Sequence, residues 1–154
     1  MTARIANPHA LVPAAIKAMM ALEASFASAG LEPVLMELVR LRASQINGCA
    51  YCIHMHTQDL RRRGEPEMRL YMLDAWRESS LYSPRERAAL GWTEALTRLA
   101  ETKVPDADYD ALKAEFSEEE QVQLTLLIGA INTWNRLQVG FRVAHPTEGA
   151  RAAA

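Results

Sequence analysis

The stretch SEEEQVQLTLLIGAI, residues 117–131, decides the fold class of this 154-residue chain. Ser117 is a favourable helix N-cap, and Glu120 three residues later completes an S-x-x-E capping box. The apolar residues that follow do not alternate as in a strand and extend over most faces of a helix. We therefore predict a helix that is buried nearly all round. Such a helix in a small domain needs cover, which indicates a homo-oligomer.

Proline, glycine and capping signals divide the rest of the chain into further helical segments. The predicted segments are residues 13–30, 33–48, 49–64, a short one from Glu65, and 83 to about Glu101. No segment has the period-two alternation, bounded by hairpin dipeptides, that predicts a sheet. We predict an all-α helical bundle of about six to seven helices. It forms a single domain, 1–154, with a loose tail from about His145.

Composition and charge exclude several classes of partner. Seventeen basic and nineteen acidic residues give a net charge of -2, and no tract is dense enough in Lys or Arg to follow a phosphate backbone. We therefore expect no nucleic acid partner. Lys17 and Glu23 interrupt the apolar residues 10–29, which favours part of the mature fold over a signal peptide. The later apolar run 124–131 is shorter than the ~20 residues of a membrane span, so we expect no membrane association and a cytoplasmic location.

The two cysteines of the chain are Cys49 and Cys52, and His56 follows one helical turn after the second. In a reducing compartment such a pair is more often catalytic or metal-binding than structural. Positions three and four apart share a helix face, so the three side chains should lie together. His54 should point away from them, as a surface or interface residue.

This arrangement favours thiol chemistry. Free backbone N–H groups at a helix start and a neighbouring imidazole both stabilise a thiolate. We expect His56 to accept the proton of Cys52, directly or through water. The Cys52 thiolate can then attack a peroxide O–O bond to give a sulfenic acid, and Cys49 can condense with it to a disulfide. An external dithiol must then reduce that disulfide.

The region resembles the alkylhydroperoxidase D-like branch of the carboxymuconolactone decarboxylase superfamily. The pattern of that family is a glutamate, eleven residues, and then Cys-x-x-Cys-x-x-x-His. Glu37 stands twelve positions before Cys49, so every spacing matches. The resemblance covers Leu35 to about Gly64, and residues 131–136 resemble a second segment that recurs in the family.

The resemblance implies an all-helical domain that assembles as a trimer or hexamer. It implies a thiol-dependent hydroperoxide reductase of antioxidant defence that needs no metal or flavin cofactor. The implied partner is a lipoyl-bearing or similar dithiol reductant. By the same resemblance Glu37 and His56 form a proton relay, Cys52 is the peroxidatic cysteine and Cys49 the resolving one.

Two positions stand apart from this picture. On a helical wheel Glu37 falls opposite the apolar stripe of its segment, where Arg40 can pair with it, so only the resemblance turns it toward the thiols. Tyr51 stands where the best-known peroxidatic members carry histidine. A phenol, with a pKa of about 10, can donate a hydrogen bond but cannot replace imidazole as a base near neutrality. The substitution therefore predicts that thiol–disulfide exchange is better preserved than the peroxidase rate.

Other interpretations remain beside the peroxidase. One is a redox-sensing or thiol–disulfide exchange module with little turnover, and another is lactone decarboxylation, which ranks last. Zinc is disfavoured, because Cys49, Cys52 and His56 supply three ligands where a structural site usually has four.

Two further assignments concern packing. Residues 134–136, Trp-Asn-Arg, are expected to pack and to cap the C-terminal end of the last helix. Arg42 lies on an apolar stripe, which indicates either a buried ion pair or a snorkelling stem.

Overall fold

The computed structural model describes residues 2–146, and this range contains eight α-helices and no β-strand. The α-helices are α1 (Pro13–Ser25), α2 (Pro33–Ile46), α3 (Ala50–Arg62), α4 (Glu67–Tyr71), α5 (Pro84–Thr97), α6 (Leu99–Thr102), α7 (Asp106–Glu115) and α8 (Glu118–Phe141). Three short 3-10 helices cover Pro8–Leu11, Phe26–Ser28 and Met72–Ala75. The all-α prediction is confirmed, with slightly more helices than the expected six to seven.

The helix starts follow the chemistry of their first residues. Ser83 and Ser117 both form complete capping boxes, in which the glutamate three residues later bonds back to the serine N–H. Each box satisfies two backbone donors that the helix itself leaves free. Gly48 adopts φ +64° between α2 and α3, a left-handed conformation that glycine adopts without the steric cost of a Cβ. This turn sets the first residues of α3 beside the end of α2.

The middle of the chain departs from the prediction in two places. The helix that begins at Ser83 breaks at Arg98, whose φ of -102° and ψ of 35° are not helical, so the short α6 follows α5 as a separate turn. Helix α7 was not predicted, because Leu112 is its single buried residue and the segment carries few large apolar side chains. The local signal for it was Pro105 followed by Asp106 and acidic residues in the first turn.

Helix α8 is less buried than expected. Val122 and Leu126 are 61% and 47% exposed, so one stripe of the helix faces outward and the prediction of burial nearly all round is wrong. The helix also continues to Phe141, so the expected capping role of residues 134–136 is wrong, and Arg142 in the left-handed region ends the helix instead. The homo-oligomer stays a prediction.

Helix α2 lies at the centre of the bundle, where it packs against α3, α5 and α8. One apolar cluster joins α2 to α5, α7 and α8, and a second joins it to α3, α5 and the Met72–Ala75 turn. Fully buried side chains such as Leu38, Leu60 and Leu73 each contribute about 2 kcal/mol by removal of apolar surface from water. A third, smaller cluster contains both cysteines. The thiols therefore belong to the packed interior.

Arg42 forms a buried ion pair, which decides the alternative that the sequence left open. Its Nε donates to Glu94 Oε1 at 2.9 Å, and Nη1 donates to Asp74. Glu94 also accepts from Trp76 Nε1 at 2.8 Å and from Arg77 Nη2 at 2.9 Å. Burial opposes ionisation of Glu94, but these donors outweigh it and hold its pKa below the ordinary value. The network ties α2 to α5 and to the turn before it.

The two ends of the chain bear on the remaining predictions. Residues 10–29 fold largely as α1 and its flanking 3-10 turns, in agreement with their place in the domain. Of the predicted tail, only His145 and Pro146 lie within the described residues, and neither belongs to a helix. Across residues 2–146, none of the helices has the length and apolar character needed to cross a bilayer.

Candidate active site

The two thiols lie at the start of α3, directly after the Gly48 turn. Cys49 is the N-cap residue of the helix and Cys52 lies in its first turn. Both are reduced and 1% exposed, and they pack against Ala43 of α2 and Ile131 of α8. The sequence-predicted pair is therefore brought together inside the bundle.

The two thiols differ in how readily they lose a proton. The adjoining Cys52 thiol lowers the pKa of Cys49 to about 7, against the opposing effect of burial, and the backbone N–H groups of Cys52 and Tyr51 and the amide of Asn135 lower it further. The pKa of Cys52 is raised by the same contact with Cys49, by burial and by the charge on Cys49. The pair therefore loses its first proton near neutral pH and holds its second, so one proton is shared between the two sulfurs. His56 is not among the groups that shift either pKa, and the activation of Cys52 by His56 stays a prediction.

Asn135 of α8 lies beneath both sulfurs and is 1% exposed. Interaction with its amide lowers the pKa of each thiol. Its Nδ2 also donates to Ser44 Oγ at 3.1 Å, and its Oδ1 accepts from Asn47 Nδ2 at 2.9 Å. The amide nitrogen, rather than the oxygen, therefore faces the thiols.

A chain of amides fixes that orientation. Asn132 Nδ2 donates to the Ile128 carbonyl at 2.9 Å, and a carbonyl oxygen can only accept, so Asn132 Oδ1 must point to Asn47. Asn47 then donates to both Asn132 Oδ1 and Asn135 Oδ1. The contact of the Asn135 amide with the thiols was not predicted from the sequence. The available signal was a set of amides on an apolar helix, since buried amides need partners.

Glu37 is buried and contacts His56, although the helical wheel placed it opposite the apolar stripe. Its Oε2 accepts from His56 Nδ1 at 2.8 Å, and its Oε1 accepts from Arg40 Nη1 at 2.7 Å. The exposed fraction of Glu37 is 7%, because α3 packs along α2 and the side chains of His56 and Arg40 cover the carboxylate. Burial alone would raise the pKa of Glu37, but His56 and Arg40 outweigh it and the pKa is lowered. The structure therefore brings the two residues of the expected proton relay, Glu37 and His56, into hydrogen-bond contact.

His56 lines a cavity and uses only one of its two ring nitrogens in a hydrogen bond with the protein. With Nδ1 bonded to Glu37, the buried Nε2 has no hydrogen-bond partner among the described residues. Cys52 lines the same cavity, yet no direct hydrogen bond joins His56 to either thiol within residues 2–146. The expected proton transfer from Cys52 therefore needs a bridging group, either water or substrate.

The cavity beside Cys52 has a volume of about 420 Å³. That size falls within the range of small-molecule sites. Its walls come from the 3-10 turn before α1, from α1, α2, α3 and α8, and they are mainly apolar. The apolar members are Ile16, Met20, Tyr51, Met55, Ile131 and Trp134.

Tyr51 and His54 differ in their distance from this chemistry. Tyr51 lies between two cavities: it lines the one beside Cys52 and also a second one that opens beside Cys49. His54 bonds to Gln58 Nε2 at 3.0 Å and packs against the ring of His145, away from the thiols as expected.

The zinc interpretation finds no support in the side-chain positions. The atoms of Cys49, Cys52 and His56 are not gathered, whereas the described residues hold one cluster of possible ligands, Glu37, His56 and Asp59, within 4.8 Å of one another. Both carboxylates of that cluster already pair with arginine, Glu37 with Arg40 and Asp59 with Arg62. Their negative charge is therefore compensated without a metal ion.

A family model and a relative of known sequence both match this chain. The sequence model of the carboxymuconolactone decarboxylase family matches residues 9–95, a range that includes the Glu-Cys-Cys-His set. The uncharacterized protein YdfG of Bacillus subtilis is 41% identical over 131 residues, which cover 85% of this chain and 89% of YdfG.

Two crystal structures are also similar. An Agrobacterium tumefaciens protein of unknown function, named as an AhpD antioxidant defence candidate, is 50% identical with a TM-score of 0.91, over 96% of this chain and 100% of that one. A peroxidase-related protein of Ralstonia eutropha with an alkylhydroperoxidase AhpD core is 21% identical with a TM-score of 0.78, over 92% and 76% of the two chains. The second similarity is one of fold.

Proposed function

Because the chain belongs to the carboxymuconolactone decarboxylase family and is AhpD-like, we propose that it is a thiol-dependent hydroperoxide reductase of antioxidant defence. One observation carries the proposal. Cys52 and the unpartnered Nε2 of His56 line the same cavity, with Glu37 behind His56 and Cys49 in contact with Cys52.

The first step places the negative charge on the sulfur that faces the cavity. The proton that the pair shares moves from Cys52 to Cys49, which leaves a thiolate at Cys52. This thiolate attacks the terminal oxygen of the hydroperoxide, so that an S–O bond forms and the O–O bond breaks. The cysteine becomes a sulfenic acid, and the alkoxide leaving group needs a proton.

His56 and Glu37 deliver that proton. The proton of the thiol pair reaches His56 Nε2 through a bridging water and passes from there to the alkoxide, which leaves as an alcohol. Glu37 accepts a hydrogen bond from Nδ1 and so stabilises the imidazolium that forms during the transfer. Arg40 keeps Glu37 ionised.

Two further steps close the cycle. The Cys49 thiolate attacks the Cys52 sulfur, the S–S bond forms, and hydroxide leaves and takes up a proton as water. An external dithiol, of the lipoyl type, then exchanges with the disulfide and is itself oxidised to a cyclic disulfide. The sum is one hydroperoxide and one dithiol converted to one alcohol, one water and one disulfide.

Peroxide consumption with a dithiol reductant tests the proposal. Reduced protein should consume cumene hydroperoxide in the presence of dihydrolipoamide, and Cys52→Ser should abolish this turnover. Thr133→Ala, an exposed change on α8, is the matched control. Equal turnover in wild type and Cys52→Ser would exclude the mechanism.

A redox-sensing or thiol–disulfide exchange module is the second candidate. It is favoured by the raised pKa of Cys52 and by Tyr51 in place of a second imidazole, both of which slow attack on a peroxide. In that case turnover stays near background while oxidation to the disulfide changes the assembly size. Size-exclusion chromatography of the reduced and oxidised protein distinguishes the two candidates.

A further inference from the structure

Three buried polar atoms without a hydrogen-bond partner belong to side chains that line the cavity beside Cys52. They are His9 Nε2, His56 Nε2 and Gln138 Oε1, and they are all such atoms found among the described residues. An unpaired buried donor or acceptor costs about 1–3 kcal/mol, so folded proteins rarely keep one without a reason. The concentration of all three in one cavity indicates that a ligand supplies the missing partners.

The proposed reaction accounts for one of the three atoms. His56 Nε2 handles the proton of the leaving alkoxide, whereas His9 and Gln138 have no part in that chemistry. Gln138 is 6% exposed and lies one turn after Trp134 on α8. His9 packs edge-on against Trp134, with ring centroids 5.8 Å apart and planes at 89°. The two polar groups therefore flank the same aromatic wall.

The wall itself is held by bonds that leave no other polar group unpaired. Trp134 Nε1 donates to Glu23 Oε1 at 3.0 Å, and Arg40 Nη2 donates to Glu23 Oε2 at 2.8 Å. Arg40 in turn bonds to Glu37, which holds His56. Because these groups satisfy one another, the cavity is shaped before a ligand arrives, and its remaining surface is apolar.

We infer that His9 and Gln138 form a substrate subsite for a hydroxyl group on the body of an organic hydroperoxide, in addition to the peroxide group itself. Gln138 Oε1 accepts, so the ligand must offer an O–H or N–H there, and His9 Nε2 can serve as the complementary donor or acceptor. A hydroxyl meets both needs at once. The apolar body packs on Ile16, Met20 and Met55, in a volume far larger than hydrogen peroxide requires.

The subsite rests on the proposed function only for the identity of the reacting group, so its test uses inert alcohols. The first probe is 2-phenyl-2-propanol, the alcohol formed from cumene hydroperoxide. The other three are its ring-hydroxylated derivatives, which are isomers of one another with the second hydroxyl at the ortho, meta or para position. Titration calorimetry gives the dissociation constant of each. We expect one isomer to bind wild type about tenfold more tightly than the parent alcohol, the gain from about one net hydrogen bond.

Variants assign the gain to the two side chains. His9→Phe and Gln138→Leu keep the size of each side chain and should each reduce the advantage of that isomer to less than about threefold, while Thr133→Ala keeps it. Gln138→Leu removes an unpaired buried amide oxygen, so its Tm should equal or exceed that of wild type, which shows that the variant is folded. Failure of all three isomers to exceed the parent alcohol, or a gain that survives in the double variant, would overturn the subsite. Alcohol binding without peroxide turnover would instead leave the subsite intact and contradict the proposed function.

Discussion

Two arginines two positions apart on α2 each stand at the centre of an ion network, and the two networks end differently. Arg42 donates to Glu94 and Asp74, and the Glu94 carboxylate also accepts hydrogen bonds from Trp76 and Arg77. Every polar group in this network finds its partner inside the protein.

The Arg40 network is open at one end. Arg40 joins Glu23 and Glu37, and Glu37 accepts from His56 Nδ1. His56 Nε2 has no partner in residues 2–146, and His56 lines the same cavity as Cys52. Under the proposed function, ion pairs of the same type stabilise the fold where every polar atom is paired and serve the reaction where one atom is left over. Predictions follow for each network.

Removal of the open end should have the largest effect. In His56→Asn the group that returns a proton to the alkoxide is lost, so kcat/KM for cumene hydroperoxide should fall between about one hundredfold and ten thousandfold. Because the asparagine side-chain amide can still donate to Glu37 in place of Nδ1, and Nε2 has no partner to lose, the Tm should change little. A steady-state assay and a thermal melt on the same sample check this, and a large loss of Tm with near-normal kcat/KM would reverse the roles of the two networks.

Opening the closed network should cost stability instead. Arg42→Met leaves the buried Glu94 with fewer partners and should lower the free energy of unfolding by about 3 kcal/mol, with turnover per folded molecule unchanged. Because the pKa of Glu94 is lowered in the folded state, the contribution is fully present above its ordinary pKa of 4.5 and is lost as the pH falls through the lower folded value. Urea denaturation at pH 7 and at pH 3 measures it. A wild-type advantage equal at both pH values would contradict the account.

The amide beneath the thiols should have a smaller effect. Asn135→Ala removes a donor that favours the thiolate, so the pKa of Cys49 should rise above about 7. Since alkylation follows the thiolate fraction, the rate with iodoacetamide at pH 7 should fall about threefold. The pH dependence of alkylation in wild type, Asn135→Ala and the control Thr133→Ala reports the shift. Coinciding titration curves for all three proteins would remove Asn135 from the site.

An exposed ion pair should have the smallest effect. Arg61 Nη2 donates to Glu67 Oε2 at 2.8 Å, but both side chains are about half exposed. Solvent screens such pairs, so Arg61→Ala should shift the Tm by less than about 2 °C and leave turnover unchanged. A larger shift in a thermal melt would show that closure of a network, rather than its burial, decides its contribution.

The sequence predicted those parts of the site that local periodicity controls. The capping boxes at Ser83 and Ser117, the contact between the two cysteines, and the shared cavity of Cys52 and His56 follow from spacing alone. Glu37 required the family resemblance, because its burial depends on α3 packing against a face of α2 that the sequence makes polar.

Contacts between distant segments could not be predicted. Asn135 meets the thiols across the α3–α8 packing, and His9 reaches the cavity from the other end of the chain. Neither contact leaves a periodic signal. Helix α7 was missed for a related reason, since Leu112 alone anchors it.

The most direct test of the proposed reaction is a single turnover followed by mass spectrometry. Reduced protein is mixed with one equivalent of cumene hydroperoxide without reductant, and the cysteine state is read from intact mass and peptide mapping. The account predicts loss of about 2 Da and a Cys49–Cys52 disulfide in wild type, a sulfenic acid at Cys52 in Cys49→Ser, and no reaction in Cys52→Ser. Unchanged thiols in wild type, or oxidation of Cys49 in Cys52→Ser at the wild-type rate, would contradict it.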